Sequence, residues 1–313
     1  MSLWLMNVYS VVQKIFFIAF VLLFLVSTSS ATEYSPEKLT WNNLKYSGSK
    51  FFMSLDTSVN VELINDAQTA EELITTPEGK GKMPASKQIV KVNVKNSVIG
   101  SDTDFTVWVE PDTTVLQRTS VYGGIKEWYR TYRFMNDRVY SDKRKPANSS
   151  EEGKHWSTWA EGPSYYPLDK IEQGVVVSES EALFYLIGVA GLEKKDDQVT
   201  LNVYDRSGVI AATVKVVGTK KVLVDYLVKQ GNKSSRVNKK ITALELVLEA
   251  KPIKDDGDLE DFKFLGYKDD IRMLINPELN TILQISGSIE YVGEVTIRLE
   301  EISLKPKLLK NQK

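Results

Sequence analysis

No cysteine occurs in the 313 residues, and histidine occurs once, at His155. The first absence removes disulfides, a thiolate nucleophile, a thiolate metal site and a lipid-accepting cysteine. The second removes every paired-histidine metal centre and every two-histidine mechanism, and makes any Ser-His-Asp arrangement depend on one residue in a polar loop beside Trp156. Neither sign of charge dominates, with 40 Lys and Arg against 41 Asp and Glu. A surface so nearly balanced gives no electrostatic reason to expect nucleic acid as a partner. Phosphate loops, nucleophile elbows and dinucleotide fingerprints are missing from the strand-to-helix turns, so no catalytic residue and no cofactor is expected.

Long apolar runs are also scarce. The one that stands out is Ile15 to Val26, preceded by Lys14 and followed by Ser27-Thr28-Ser29-Ser30-Ala31. Twelve apolar residues rise about 18 Å as a helix, short of a hydrocarbon core about 30 Å thick. Residues 1–31 are therefore read as a cleaved secretory signal peptide. The uncharged stretch Met1 to Gln13 leaves a retained inner-membrane anchor as the alternative. The expected location is the periplasm, which suits an exported chain without disulfides, and membrane contact is expected only through this segment if it is uncleaved. One Lys and no acidic residue precede Thr32, so residues 32–313 carry 39 basic and 41 acidic side chains. They are read as a single β-rich exported domain.

What the chain has in abundance is alternation. From Phe51 to Ile64, Phe51, Met53, Leu55, Val59, Val61 and Leu63 fall on one face and Ser54, Asp56, Ser58, Asn60 and Glu62 on the other, a long strand with one wet face. The pattern returns at Val90, Val92 and Val94, and again at Phe105, Val107 and Val109. Turns are expected at Gly123-Gly124, Asn136-Asp137, Asp205-Arg206-Ser207-Gly208, Gly218, Asn276-Pro277-Glu278 and Gly287-Ser288. About twelve strands result, in an all-β chain of antiparallel hairpins whose long Phe51 to Ile64 strand bends. One short helix interrupts them, Ser178 to Leu192, with Ser178 and Glu181 in capping-box spacing and Gly191 closing the end. The segments Asp66 to Ser86, Lys145 to Lys154 and Ile253 to Asp261 read as loops.

No metal site is expected. Asp255 to Asp261 gathers five carboxylates in seven residues, but an EF-hand counted from Asp256 puts Asp261 where Gly is required and Tyr267 where Glu is required. Asp269 and Asp270, adjacent on a strand, point to opposite faces and make a poor acid/base pair. Aromatic residues are the more informative group. Trp128, Tyr129 and Tyr132 sit on one strand, and Trp156, Trp159, Tyr165 and Tyr166 follow in a polar insertion, where they either line a cleft or pack core and edge. The speculative ligand-binding set is Trp128, Tyr132, Trp156, Trp159 and Phe184. Arg130 and Arg133 lie among them on opposite strand faces, one of them placed to meet an anionic ligand.

The long early strands, Phe105-Thr106-Val107-Trp108-Val109-Glu110-Pro111, Trp128 to Arg138, the Ser180 to Leu186 helix, and Tyr267 to Ile275 with its closing Gly-Ser hairpin resemble the bacterial exported family called domain of unknown function 3108. Ser178-Glu179 stands where that family has Asp-Pro. The resemblance covers most of the mature chain and implies an all-β fold with a long curved antiparallel sheet, a half-barrel or open barrel similar to the half-barrel of periplasmic lipoprotein carriers, with a helix on its concave side; it brings no site residues. An apolar concave sheet shelters an acyl chain without any catalytic group. The expected function is thus non-enzymatic binding of a hydrophobic or amphipathic envelope component, a lipid or a lipoprotein. An envelope scaffold for a protein partner and a carbohydrate-active enzyme with paired carboxylates are the alternatives.

Overall fold

The computed structural model describes residues 34–50, 53–98, 101–124, 126–168, 171, 174–206, 208–254, 262–290 and 292–306. The expected signal segment and the acidic run Asp255 to Asp261 lie outside the described residues. Eight strands follow one another as antiparallel neighbours: β1 (Trp41–Lys50), β2 (Met53–Asn65), β3 (Gln88–Val98), β4 (Ser101–Val109), β5 (Val115–Gly124), β6 (Trp128–Phe134), β7 (Arg138–Arg144) and β8 (Pro163–Pro167). Six more do the same: β9 (Gln198–Asp205), β10 (Gly208–Gln230), β11 (Lys233–Pro252), β12 (Tyr267–Asn276), β13 (Thr281–Ile289) and β14 (Gly293–Leu304). Pairing of β14 with β1 joins the halves into one 14-stranded sheet. The chain is mostly β, as its alternation indicates.

Residues directly opposite in a ladder share a face, so the registers trace inward rows across the first half. One row runs Leu44, Val59, Val94, Phe105, Ser120, Arg130, Lys143. The next runs Val61, Val92, Val107, Arg118, Tyr132, Ser141. Each row is apolar on the early strands and turns cationic and aromatic on β5 to β7. At the apolar end Val59, Val92, Val94 and Val107 are completely buried, each burial stabilising by roughly 1.5 kcal/mol.

The apolar inward face is packed by α2 (Leu183–Val189), in which all seven residues are buried. Phe184 sits 6.3 Å from the Tyr46 ring and 5.5 Å from Phe264. The Tyr185 hydroxyl donates to the Pro111 carbonyl at 3.1 Å. Gly188 lies so close to the segment leading into β1 that a Cβ there would fall 2.4 Å from Leu39 Cδ1. Gly191 ends the helical segment at φ +67. The capping box does not form. Ser178 is instead bridged to β9, its N–H donating to Asn202 O at 2.7 Å, and Glu181 is drawn away by Arg118. Residues 177 and 178 also stitch β9 to β5, since the Val115 N–H donates to Val177 O at 2.9 Å.

Three other expectations give way for physical reasons. Gly218 is not a turn: β10 runs 23 residues through a register shift between Val216 and Gly218. Gly287 lies within β13, opposite Val295, where a Cβ would stand 2.9 Å from the Asp269 carbonyl. The Asp66 to Ser86 segment is not all loop, because Asn65 caps α1 (Asp66–Glu72), its Oδ1 accepting from the Gln68 N–H at 2.7 Å. Under α1 a separate small core of Ile64, Leu73, Ile89, Trp108 and Leu116 forms on the outer face. At the far end of β10, Leu227, Val228 and Lys229 pair in parallel with Glu301, Ile302 and Ser303 of β14. The pairings of β10 through β14 thereby close into a circuit. Among the described residues no helix is long and apolar enough to cross a membrane.

Candidate functional site

The inward positions of β5 to β7 carry Arg118, Ser120, Tyr122, Trp128, Arg130, Tyr132, Ser141 and Lys143. Tyr122 stacks on Trp128 at 3.8 Å between ring centroids. The Arg130 guanidinium lies 5.4 Å from the Trp128 ring and 5.7 Å from that of Tyr132, and donates to the Tyr132 hydroxyl at 3.1 Å. Lys143 Nζ, across the ladder from Arg130, lies 5.7 Å from the Trp128 ring. Arg130 Nε is buried without a hydrogen-bond partner, and among the described residues neither Arg130 nor Lys143 has a carboxylate partner. Burial holds the Lys143 ammonium below its ordinary pKa, and the charges of Arg130, Lys145 and Arg206 push it the same way. Two cations without an ion pair among the described residues thus converge on the Trp128 ring.

Two cavities open on this group, one at Tyr132 and the other at Trp128 and Lys143. One, about 310 Å³, is lined by Arg118, Tyr132, Glu179, Tyr204, Arg206 and Lys263, among others. The other, about 550 Å³, is lined by Lys126, Trp128, Lys143, Lys145 and Glu152, among others. The floor of the first is an ionic triad. Arg118 donates to Glu181 through Nε and Nη2 at 3.2 and 2.8 Å, reaches Glu179 at 3.5 Å, and gives its remaining nitrogen to Ser120 Oγ at 2.8 Å. Burial works against the charge of Arg118, yet Glu181 and Glu179 together hold its pKa above the ordinary guanidinium value. One cation between two carboxylates leaves a negative charge in excess.

A proton on Glu179 relieves that excess. Burial drives its carboxyl up to about 8 against the pull of Arg118, with Glu181 and Asp205 adding to the rise, and its Oε1 has no hydrogen-bond partner. The folded state therefore binds this proton more tightly than the unfolded chain, whose ordinary value is 4.5. The resulting stability is complete below the unfolded value and is lost as pH rises through the folded one. We expect the melting temperature to fall between pH 5 and about 8, and Glu179→Gln to flatten that fall. Parallel wild-type and variant profiles across the window would show that another group carries the dependence.

Of the five aromatic positions singled out from the sequence, the fold brings two together. Trp128 and Tyr132 share the inward face of β6 and line the two cavities. Trp156 lies on the opposite side, stacked at 3.9 Å on Tyr129 with Arg144 over its other face. Trp159 is buried in the same loop, its indole N–H donating to the Glu151 carbonyl at 3.1 Å. Phe184 is core on α2 and lines no cavity described here. Arg130 and Arg133 do take opposite faces; Arg133 ends fully buried among carbonyls, away from any ligand. Asp269 and Asp270 are both exposed on β12 and line neither cavity. Sequence reasoning missed Arg118, Lys143, Glu179, Glu181, Tyr204 and Arg206. The available signal was the inward phase of β5, where Arg118, Ser120 and Tyr122 break an otherwise apolar face.

Among solved structures, the chain is similar to a β-barrel-like protein of the domain of unknown function DUF1849 from Brucella abortus, with a TM-score of 0.44 and 10% identity over 85% of this chain and 98% of that one. No family model matches the chain, that of domain of unknown function 3108 included, and no curated protein matches it.

Proposed function

We propose that this is a non-enzymatic periplasmic protein that binds an anionic amphiphile of the envelope at the aromatic and cationic mouth of its sheet. The observation that carries the reading is the pair Arg130 and Lys143, both set against the Trp128 ring and neither in an ion pair among the described residues, with Glu127 and Glu152 the acidic residues lining the same cavity as Lys143. Cations of this kind, with the Arg130 Nε buried and lacking a hydrogen-bond partner, gain from a phosphate or carboxylate headgroup through charge-assisted hydrogen bonds, while the ring faces of Trp128 and Tyr132 cover apolar atoms next to it. The acyl-length groove expected from the sequence is occupied by α2, so the ligand's tail runs along the mouth and not beneath the helix. Kinship with domain of unknown function 3108 belongs to the same proposal and rests on the order of strands and turns.

Titration with dodecyl phosphate, followed through tryptophan fluorescence, tests the reading. Wild type is expected to bind it and to ignore an uncharged dodecyl glycoside. Arg130→Ala with Lys143→Ala is expected to lose about 100-fold in affinity, each charged hydrogen bond being worth roughly 1.5 to 3 kcal/mol, with little change in melting temperature. Equal affinity in the double variant would remove the proposal. A second reading has one observation in its favour: Glu179 is held as a neutral acid beside Tyr132 and Tyr204, as a general acid for glycoside hydrolysis needs to be. Hydrolysis of a saccharide library by wild type but not by Glu179→Gln would establish it over binding alone.

A further inference from the structure

Charge is balanced over the chain and sharply unbalanced in one place. Beyond the register shift at Gly218, the β10–β11 hairpin continues as an arm, residues 219–241, with seven Lys or Arg and one Asp. The rest of the chain is left at a net charge of −7. Two of the seven cations are paired, Lys229 with Glu301 at 2.7 Å and Arg236 with Asp225 at 2.6 Å. The other five, Lys220, Lys221, Lys233, Lys239 and Lys240, are exposed and have no carboxylate partner among the described residues.

The arm also presents an apolar residue among these charges. Leu223 is 66% exposed, directly across the ladder from Lys240 and two positions along its own face from Lys221. The inward residues Val224 and Tyr226 are buried, so the arm is anchored on one side and open on the other. Since β12 pairs with β11 over Leu244 to Val247, residues 233–243 of β11 have β10 as their only ladder partner among the described residues. Lysines do guard free strand edges against mispairing, but edge protection does not account for a large exposed leucine set between two of them. Leucine within a lysine cluster matches a phospholipid surface, where anionic headgroups meet the cations and the aliphatic side chain enters the headgroup boundary.

We infer that the 219–241 arm docks the protein on an anionic membrane surface, independently of the ligand mouth. The test is co-sedimentation of the full chain with vesicles of phosphatidylglycerol and phosphatidylcholine, against phosphatidylcholine alone. Wild type is expected to prefer the anionic vesicles at least tenfold, and to lose the preference in high salt. Lys221→Glu, Lys233→Glu and Lys240→Glu together, all exposed and unpaired, are expected to lower anionic binding about 100-fold or more, since each lysine near such a surface is worth about 1 kcal/mol. Leu223→Ala is expected to weaken it a few-fold, and Arg130→Ala with Lys143→Ala to leave it unchanged, which separates the arm from the mouth. Any contribution from residues 1–31 is common to all variants and cancels in the comparison. An unchanged preference in the triple Glu variant overturns the inference, as does tighter binding of double-stranded DNA that competes the vesicles away.

Discussion

Replacing Arg118 by leucine is expected to cost about 3 to 5 kcal/mol of stability, enough to unfold a marginal domain outright, because it leaves the buried Glu181 carboxylate, beside a Glu179 already held neutral, without its cation. Glu179 and Glu181 are both buried, and among the described residues Arg118 is the only Lys or Arg in an ion pair with either. Leucine supplies a similar apolar stem but no donors, so Glu181 loses two hydrogen bonds and Ser120 loses one. Urea unfolding followed by circular dichroism measures the loss. The compensated variant Arg118→Leu with Glu179→Gln and Glu181→Gln is expected to recover much of it, since the penalty is that of uncompensated charge and not of the missing bonds alone. A single-variant loss below about 1 kcal/mol would mean that water or backbone donors already solvate the carboxylates.

Arg133 fails differently. Its guanidinium is fully buried, with no carboxylate in reach, and its donors go to backbone carbonyls: Nε to Ile74 at 3.2 Å, Nη1 to Leu116 at 2.6 Å, and Nη2 to Lys80 and Lys82 at 2.7 and 2.5 Å. Burial lowers its pKa to about 10, which still leaves it charged at neutral pH. The residue is a pin that ties the segment between α1 and β3 to the outer face of β5 and β6. Arg133→Met keeps the stem and removes every donor, leaving several carbonyls unsatisfied at about 1 to 3 kcal/mol apiece before relaxation. The expected result is a loss of about 3 kcal/mol, with hydrogen exchange rising first over residues 66–87 while β3 to β5 stay protected. Lysine is expected to rescue only in part, because a point ammonium lacks the fork that serves carbonyls in several directions. Uniform exchange across the whole sheet would show the pin to be an integral part of the main core instead.

The strands were legible because a sheet with one buried face writes itself as alternation. Val90, Val92 and Val94 read inward and are inward, and the Asn136-Asp137 turn falls between β6 and β7. Glycine was the weak point. At Gly218 it accommodates a shift in register within a continuous strand, and at Gly287 it lets a neighbouring carbonyl approach; neither is distinguishable from a turn without the partner strand. The site was harder for a related reason. Arg118 and Glu181 are 63 positions apart, and nothing local in either neighbourhood announces the other. The aromatic insertion drew attention by composition, yet Trp156 and Trp159 pack on the side of β6 away from the cavities. Whole-chain charge balance likewise concealed the basic arm, because two opposite regional excesses sum to almost nothing.

The junction between β1 and β14 also sets a clock. Ser47 of the first strand donates to Glu300 of the last, 253 positions later, and Tyr46 to the Ile282 carbonyl, 236 positions later. At a synthesis rate of about 5 to 20 residues per second, β1 exists for roughly 10 to 50 s before the strand that covers its edge has been made. Throughout that interval the edge is a template for any passing strand. Assembly of the sheet is therefore gated by completion of the polypeptide, and a chain truncated ahead of Gly293 emerges with its first strand permanently uncovered.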